Sequence, residues 1–304
     1  MKKTVVTHSS RFHADDVCAV AVLQLVFGES ELEILRTRDT AIIEKADIVV
    51  DVGGVYDVAT KRFDHHQASF TDVRENGIPY ASFGLVWKAY GEQLCGSPEA
   101  MEIIDTKIVQ PIDASDNGIQ TYDTRFEGIH PYLANTMLYS FMPSWKESVS
   151  LDDAFMKAVH MMKEIITREI IQIQDSLEAQ EIITKRYETA ENKQIIIFDT
   201  DDDFGDGDIQ FALKKHSEPL IHIRYRHSDD NWSAKCVLSS EGVFSNRIDF
   251  PDSWAALEGE QLQQETGVAD AIFCHKGKFL CVAKSLEGAI ALAQKAVAHH
   301  VDKM

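Results

Sequence analysis

Short apolar runs set the frame of this chain. Thr4-Val5-Val6-Thr7, Leu32-Glu33-Ile34-Leu35-Arg36-Thr37 and Ile48-Val49-Val50-Asp51-Val52 are β-rich stretches of strand length. Between the first two, residues 15–27 are apolar nearly all round, which predicts a buried helix ended near Gly28. Residues 39–46 suggest a shorter helix. This β–α–β–α–β order predicts a parallel sheet whose ligands gather at the carboxyl ends of its strands. Residues 82–90 continue as a helix stopped by Gly91, and residues 99–109 as another halted by Pro111.

The longest helical pattern covers 151–190, where Phe155, Val159, Met162, Ile166, Ile170, Ile173, Leu177 and Ile183 recur at steps near three or four. Such a helix packs along one side and can join two domains or contribute to a homodimer face. Strand-like runs follow at 194–198, 220–226, 232–238, 272–274 and 278–282, and an Ala-rich helix at 286–300. The fold class expected is α/β: a parallel-sheet N-terminal domain over 1–150, a connecting helix over 151–190, and a smaller α+β domain over 191–304. No internal repeat or low-complexity segment interrupts it.

Composition narrows the function classes. The chain has 304 residues and a formal charge of −19, and neither half is basic: residues 1–150 hold 13 basic and 22 acidic side chains. A grip on a long duplex rests on a basic stripe, so the substrate expected is small, or a strand end held at one point. No apolar run approaches the ~20 residues needed to span a bilayer, so no membrane partner is expected. The start, Met1-Lys2-Lys3-Thr4-Val5-Val6, reads as a first strand and not as a signal peptide. Five scattered cysteines without a C-x-x-C pair suit buried free thiols and a cytoplasmic location.

The candidate chemistry lies in three acid and imidazole segments: His8 to Asp16, with His8, His13, Asp15 and Asp16; Asp51, at a strand end before Gly53-Gly54; and Asp64-His65-His66. A thiolate-free set of carboxylates and imidazoles suits hard divalent ions such as Mn²⁺ and Mg²⁺ and is a poor copy of structural zinc. In the second half, Arg224, Arg226, Arg247, His275, Lys276 and Lys278 are the cations near predicted strand ends or turns. For Arg224 and Arg226 an exposed strand face is the better reading. The acidic loop at 199–208 lacks the closing glutamate of an EF-hand and reads as solvated. Trp232 and Trp254 fit core packing better than base stacking, and His299-His300 fits a helix end.

These motifs resemble the DHH phosphoesterase superfamily and, within it, the melanocyte-proliferating-gene (Myg-type) exonuclease family. The matching stretches are the segment from Thr7 to Val17, Asp51-Val52-Gly53-Gly54-Val55-Tyr56, Arg62-Phe63-Asp64-His65-His66-Gln67, Ser82-Phe83-Gly84-Leu85-Val86 and Ile112-Asp113-Ala114-Ser115-Asp116-Asn117-Gly118-Ile119, with Trp254-Ala255-Ala256-Leu257 and Phe273-Cys274-His275 later. The resemblance implies a DHH-like catalytic domain carrying two ions, Mn²⁺ or Mg²⁺, and a C-terminal domain that clamps substrate through His275, Arg247 and Lys276. Asp51 would bridge the ions, with His8, His13 and Asp15 on one and His65 with a last aspartate on the other. Asp116, heading an Asp-Asn-Gly turn, ranks ahead of Asp113 for that place. The loser would bond a histidine from behind or cap a turn. His66 would contact phosphate or the leaving oxygen, Asp64 would orient a ring N–H, and Asp16 could serve in place of Asp15.

One departure stands out: against the superfamily's His-x-x-x-Asp-x-Asp opening, His13 occupies the place of the first aspartate, with one residue more between it and His8. That removes one negative charge, which weakens hard-metal affinity or favours Mn²⁺ over Mg²⁺. The activity expected is a phosphodiesterase using a metal-bridged hydroxide, a 3'-5' exonuclease on short RNA or DNA. A small-phosphate hydrolase (nucleotide phosphatase or pyrophosphatase) and an inactive metal-binding regulator are the rivals.

Overall fold

The computed structural model describes residues 2–239 and 245–302, in two compact units, Met1–Gln174 and Asp175–Met304. The first is built on a five-stranded sheet. Its strands are β1 (Lys3–Thr7), β2 (Leu32–Arg36), β3 (Ile48–Val50), β4 (Tyr56–Asp57) and β5 (Arg62–Phe63), in the order β2-β1-β3-β5-β4. All pairings are parallel except β4 with β5. Parallel strands buried on both faces read as continuous apolar runs, and Val5, Val6, Ile48, Val49 and Val50 are all buried. The expected parallel sheet is therefore present, with β4 and β5 added by residues too few to carry a periodic signal.

Helix α1 (Ala14–Phe27) is buried from Ala14 to Gln24, which explains its unpatterned apolar sequence. Helix α2 (Thr40–Lys45) is capped by the Asp39 side chain, which accepts from Ala41 N–H. Helix α3 (Ser82–Cys95) packs against α1 and corrects one expectation. It runs through Gly91 and ends in a left-handed turn at Gly96. Gly91 is interior because a Cβ there would stand 2.8 Å from the Trp87 ring.

A second correction concerns Pro111. Helix α4 (Pro98–Ile104) runs into a π turn at Asp105–Val109, and α5 (Gln110–Asp116) continues past the proline. The π turn, which shifts the hydrogen-bond register just ahead of Pro111, accommodates the missing N–H. Helix α6 (Ala134–Tyr139) packs on α1 and α5. Helix α7 (Leu151–Thr189) is one unbroken helix of 39 residues, and the boundary between the two units falls within it. Its buried apolar positions in the first unit are Ala154, Phe155, Ala158, Val159, Met162, Ile166, Ile170 and Ile173.

The second unit holds a mixed sheet ordered β6-β7-β8-β10-β9. Its strands are β6 (Ile195–Ile197), β7 (Ile221–Arg226), β8 (Asn231–Cys236), β9 (Ala271–Cys274) and β10 (Leu280–Ala283). Only β6 with β7 is parallel. One face packs on α10 (Leu286–Val301), with Trp254 buried in that core. The other packs Ile196 and Phe198 against α8 (Asp206–Lys214) and the end of α7 through Ala179 and Ile183. The acidic loop thus gives way to a helix from Asp206, and Asp202 in it pairs with Arg186 at 3.1 Å. A further helix, α9 (Gly259–Thr266), adjoins β9. Among the described residues, no helix is long and apolar enough to cross a membrane.

The start of α10 offers a direct check on this second core. Ser285 Oγ accepts from Gly288 N–H at 3.0 Å and donates to Asp270 Oδ2 at 2.5 Å. Ser285→Ala removes that cap and should lower stability by about 1 kcal/mol, read as a shifted urea midpoint at unchanged slope.

Candidate metal centre

The site forms where the carboxyl ends of β1 and β3 and the loop after β5 meet the amino end of α3. His8 directly follows β1 and is only 2% exposed. Its Nδ1 lies 3.0 Å from the Ser9 carbonyl, and its Nε2 lies 3.3 Å from both Asp16 Oδ2 and Asp51 Oδ2. Asp51 follows β3 with a φ of +55°, a left-handed conformation that aspartate tolerates better than most residues. That turn drops its carboxylate into the cluster, and Gly53 and Gly54 continue it at positive φ.

Asp15 and Asp16 sit in the first turn of α1, fully buried, and have different tasks. Asp16 Oδ1 accepts the His13 N–H at 2.8 Å, closing the start of α1, while its Oδ2 faces His8. Asp15 points to α3, where it accepts Ser82 N–H at 3.1 Å and Phe83 N–H at 2.7 Å. The third N–H of α3, that of Gly84, goes to Asp113 Oδ1 at 3.0 Å. Ser82 Oγ donates to Asp51 Oδ1 at 3.3 Å. The positive end of one helix therefore receives three aspartates from other parts of the chain.

Asp64, also buried, accepts Gly54 N–H at 2.6 Å and His66 N–H at 3.1 Å, and its Oδ1 lies 2.7 Å from His66 Nδ1. It orients His66, whose side chain is 61% exposed. His65 turns inward, with Nε2 3.3 Å from Asp116 Oδ2 and 3.6 Å from Asp51 Oδ1. Asp113 instead lies against Arg74, whose Nη1 is 2.7 Å from its Oδ2.

Three groups of side chains have ligand atoms within 4.8 Å of one another: His8, His13 and Asp51; Asp51, His65 and His66; and Asp15, His65 and Asp116. This corrects the grouping expected for Asp15, which joins His65 and Asp116 and not His8 and His13. The reason is its anchorage on the α3 amino end. Asp113 joins none of the groups. His275, Arg247 and Lys276 lie in the second unit. There Arg247 donates to the Pro219 and Lys214 carbonyls, His275 Nδ1 accepts Gly277 N–H, and Lys276 is exposed.

Residues beyond the sequence candidates also shape the site. A cavity of about 300 Å³ is lined by His8, His13, Asp51, Asp64 and His66 together with Arg38. Ser82, Gly84 and Arg74 complete the surroundings of the carboxylates. Ser82 and Gly84 stand in a motif that the resemblance marks, but nothing local shows which distant groups they touch.

The electrostatics fit a cation. Six aspartates (15, 16, 51, 64, 113 and 116) crowd this region, where Arg74 pairs with Asp113 and Arg38 lines the cavity. Burial, reinforced by Asp51, Asp116 and Asp113, pushes Asp15 well above the usual carboxylate range. Burial also pushes Asp16 up to about 7 against the pull of His8, and Asp113 up to about 7 against that of Arg74. Asp51 is held low, because His65 and His8 outweigh its burial. Burial disfavours a charged His65, yet Asp116, Asp51 and Asp15 outweigh it and push the ring up to about 10. His8 is raised in the same way, by Asp51 and Asp16 against burial.

Protons thus stand in where positive charge is wanted. His8 Nε2 and His65 Nε2 each meet two carboxylates at 3.3–3.6 Å, contacts that hold only while the rings are protonated. Divalent ions held by carboxylate and neutral imidazole would take the place of those protons.

Because ligation requires a neutral ring, Mn²⁺ must displace the proton that His65 keeps up to about 10. Binding at pH 7.5 should therefore acidify a weakly buffered solution, and affinity should rise between pH 6 and 8. Titration calorimetry in buffers of different ionisation enthalpy measures both; binding without proton release contradicts this electrostatic account.

Sequence similarity to other proteins extends over nearly the whole chain. The family model MYG1_exonuc, described as an uncharacterised protein family (UPF0160), matches residues 4–297. An MYG1 protein of Caenorhabditis elegans is 30% identical over 98% of this chain and 96% of its own length. An MYG1 protein of Chlamydia muridarum is 30% identical over 94% and 93%. The MYG1 exonuclease of Bos taurus is 29% identical over 96% and 84%. Among solved structures, a pGpG-specific phosphodiesterase of Vibrio cholerae aligns over 98% of this chain and 99% of its own at 15% identity. The TM-score of that alignment is 0.33.

Proposed function

This chain belongs to the MYG1 exonuclease family, UPF0160, and on that premise we propose that it is a divalent-metal-dependent phosphodiesterase, a 3'-5' exonuclease on short RNA or DNA. The observation that carries this reading is the Asp51 carboxylate, which belongs to two of the potential ligand groups at once. A carboxylate so shared suits a pair of ions, and the pairing of Asp51 with Asp64-His65-His66 supports placing the site in the DHH superfamily. Relatives named MYG1 exonuclease support nucleic acid as the substrate.

Two Mn²⁺ or Mg²⁺ ions at these groups would supply Lewis acidity to the phosphate and lower the pKa of an attacking water. The chain's own residues divide the remaining work. His8 and His13 would hold an ion on one side of Asp51, and His65, which shares one potential ligand group with Asp51 and another with Asp15 and Asp116, would hold an ion on the other. His66, fixed through Nδ1 by Asp64, keeps Nε2 to protonate the leaving oxygen. The hydrogen bond to Asp64 raises its pKa despite partial burial, which favours the protonated ring that a general acid needs.

The charge of −19 favours the other hydrolase reading, a small-phosphate substrate. Incubation with Mn²⁺ and a labelled oligonucleotide, a dinucleotide or pyrophosphate separates the two. The exonuclease reading expects mononucleotides released in order from the 3' end. Phosphate from pyrophosphate with an intact oligonucleotide would favour the rival. Asp51→Asn keeps the left-handed backbone accessible and should lower turnover on the order of a hundredfold to a thousandfold. Undiminished activity there would remove Asp51 from the proposed centre.

A further inference from the structure

Arg74 lies in the segment that follows Asp64-His65-His66 and is only 9% exposed. Its Nε donates to Asp105 Oδ2 at 3.1 Å and its Nη2 to Asp105 Oδ1 at 2.9 Å, a two-pronged grip. The remaining Nη1 stands 2.7 Å from Asp113 Oδ2, and the guanidinium carbon lies 4.0 Å from the Tyr80 ring centroid. The turn carrying Arg74 is closed by its own N–H to Ile78 O and by Gly77 N–H to Arg74 O, both at 2.9 Å.

The partners of Arg74 sit at both ends of the π turn between α4 and α5. Asp105 opens that turn, and its Oδ2 also accepts Gln110 Nε2 at 2.7 Å. Gln110, the first residue of α5, accepts in turn from Asn76 Nδ2 at 2.8 Å. A π turn carries one extra residue and can relax to an α-helix by shifting everything beyond it. Fastened at Asp105 and Gln110, it cannot shift without breaking the grip. Gly84 shows how tightly this region is closed: a Cβ there would stand 1.9 Å from Asp113 Oδ2 and 2.9 Å from Arg74 Nη2.

Asp113 and Asp116 are three residues apart on α5, so they share a face. Arg74 engages the first, and the second is left facing His65 at 3.3 Å. We infer that Arg74 is a positioning residue: by clasping the π turn and occupying Asp113, it fixes Asp116 as the ligand opposite His65 and keeps Asp113 from competing for the cation. This deepens the metal reading of the preceding section and rests on it. No side chain of the three potential ligand groups contacts Arg74 among the hydrogen bonds and ion pairs described, so its effect passes through Asp113 and the helix.

Mn²⁺ titration of the full chain, followed by electron paramagnetic resonance, tests this. Wild type should show an exchange-coupled ion pair. In Arg74→Ala, affinity for the second ion should fall about 10- to 100-fold, the range for loss of an outer-shell partner, and an uncoupled six-line spectrum should replace the coupled one. Millimolar guanidinium should restore coupling, which a general loss of packing would not permit. Arg74→Lys keeps a cation but loses the two-pronged grip; it should be weakened and not restored by guanidinium, and it serves if the alanine variant does not fold.

A folded Arg74→Ala protein that binds a coupled pair with wild-type affinity overturns the inference. A wild type that binds no coupled pair overturns the metal reading instead. Amide hydrogen exchange over residues 105–117 then decides the role of Arg74. Exchange accelerated tenfold or more in Arg74→Ala and slowed again by guanidinium supports it, and unchanged exchange overturns it.

Discussion

The first unit depends on one electrostatic arrangement, the amino end of α3. Its opening N–H groups have no cap from their own segment, because Ala81 supplies none. They are received by Asp15 from α1 and Asp113 from α5, while the Ser82 hydroxyl reaches Asp51 beyond β3. Buried carboxylates need such partners, since an unpaired charge away from water costs far more than a protein can sustain. The same contacts pin three stretches, distant in sequence, to one point. Sheet, helices and carboxylate cluster are thus set by a single contact region.

That arrangement leaves the cluster short of positive charge. Helix dipole and Arg74 offset part of it, and protons on His8 and His65 offset more. The result is a set of side chains whose pKa values are driven apart: Asp51 low, and Asp15, Asp16 and Asp113 high. Perturbation of this kind marks functional sites when it coincides with convergent geometry. Here it coincides with three potential ligand groups that share Asp51 or His65. The clustered side chains suit a metal ion, and relatives named MYG1 exonuclease suit a nuclease.

Much of this was legible in the sequence, and the exceptions have physical reasons. β1, β2 and β3 centre on short apolar runs and α1 is apolar nearly all round, so they are legible without tertiary help. Asp51 stood out because it ends an apolar run, and Asp64-His65-His66 because two adjacent histidines after an acid are uncommon in a polar loop. Gly91 and Pro111 misled, because both signal chain breaks locally while a neighbouring ring and a π turn absorb them here. The placement of Asp15 was hidden too, since nothing in the segment around it tells that Ser82 and Phe83 will be its donors. Arg74 gave no signal at all: a lone arginine in a polar segment acquires meaning only when Asp105 and Asp113 are brought to it.

The central claim is that two ions share Asp51 at this edge of the sheet. Anomalous diffraction from crystals soaked in Mn²⁺ addresses it most directly. The account predicts two peaks flanking the Asp51 carboxylate, one beside His8 and His13 and one beside Asp15, His65 and Asp116. Peaks confined to the acidic loop at 199–208, or none within reach of Asp51, would contradict it.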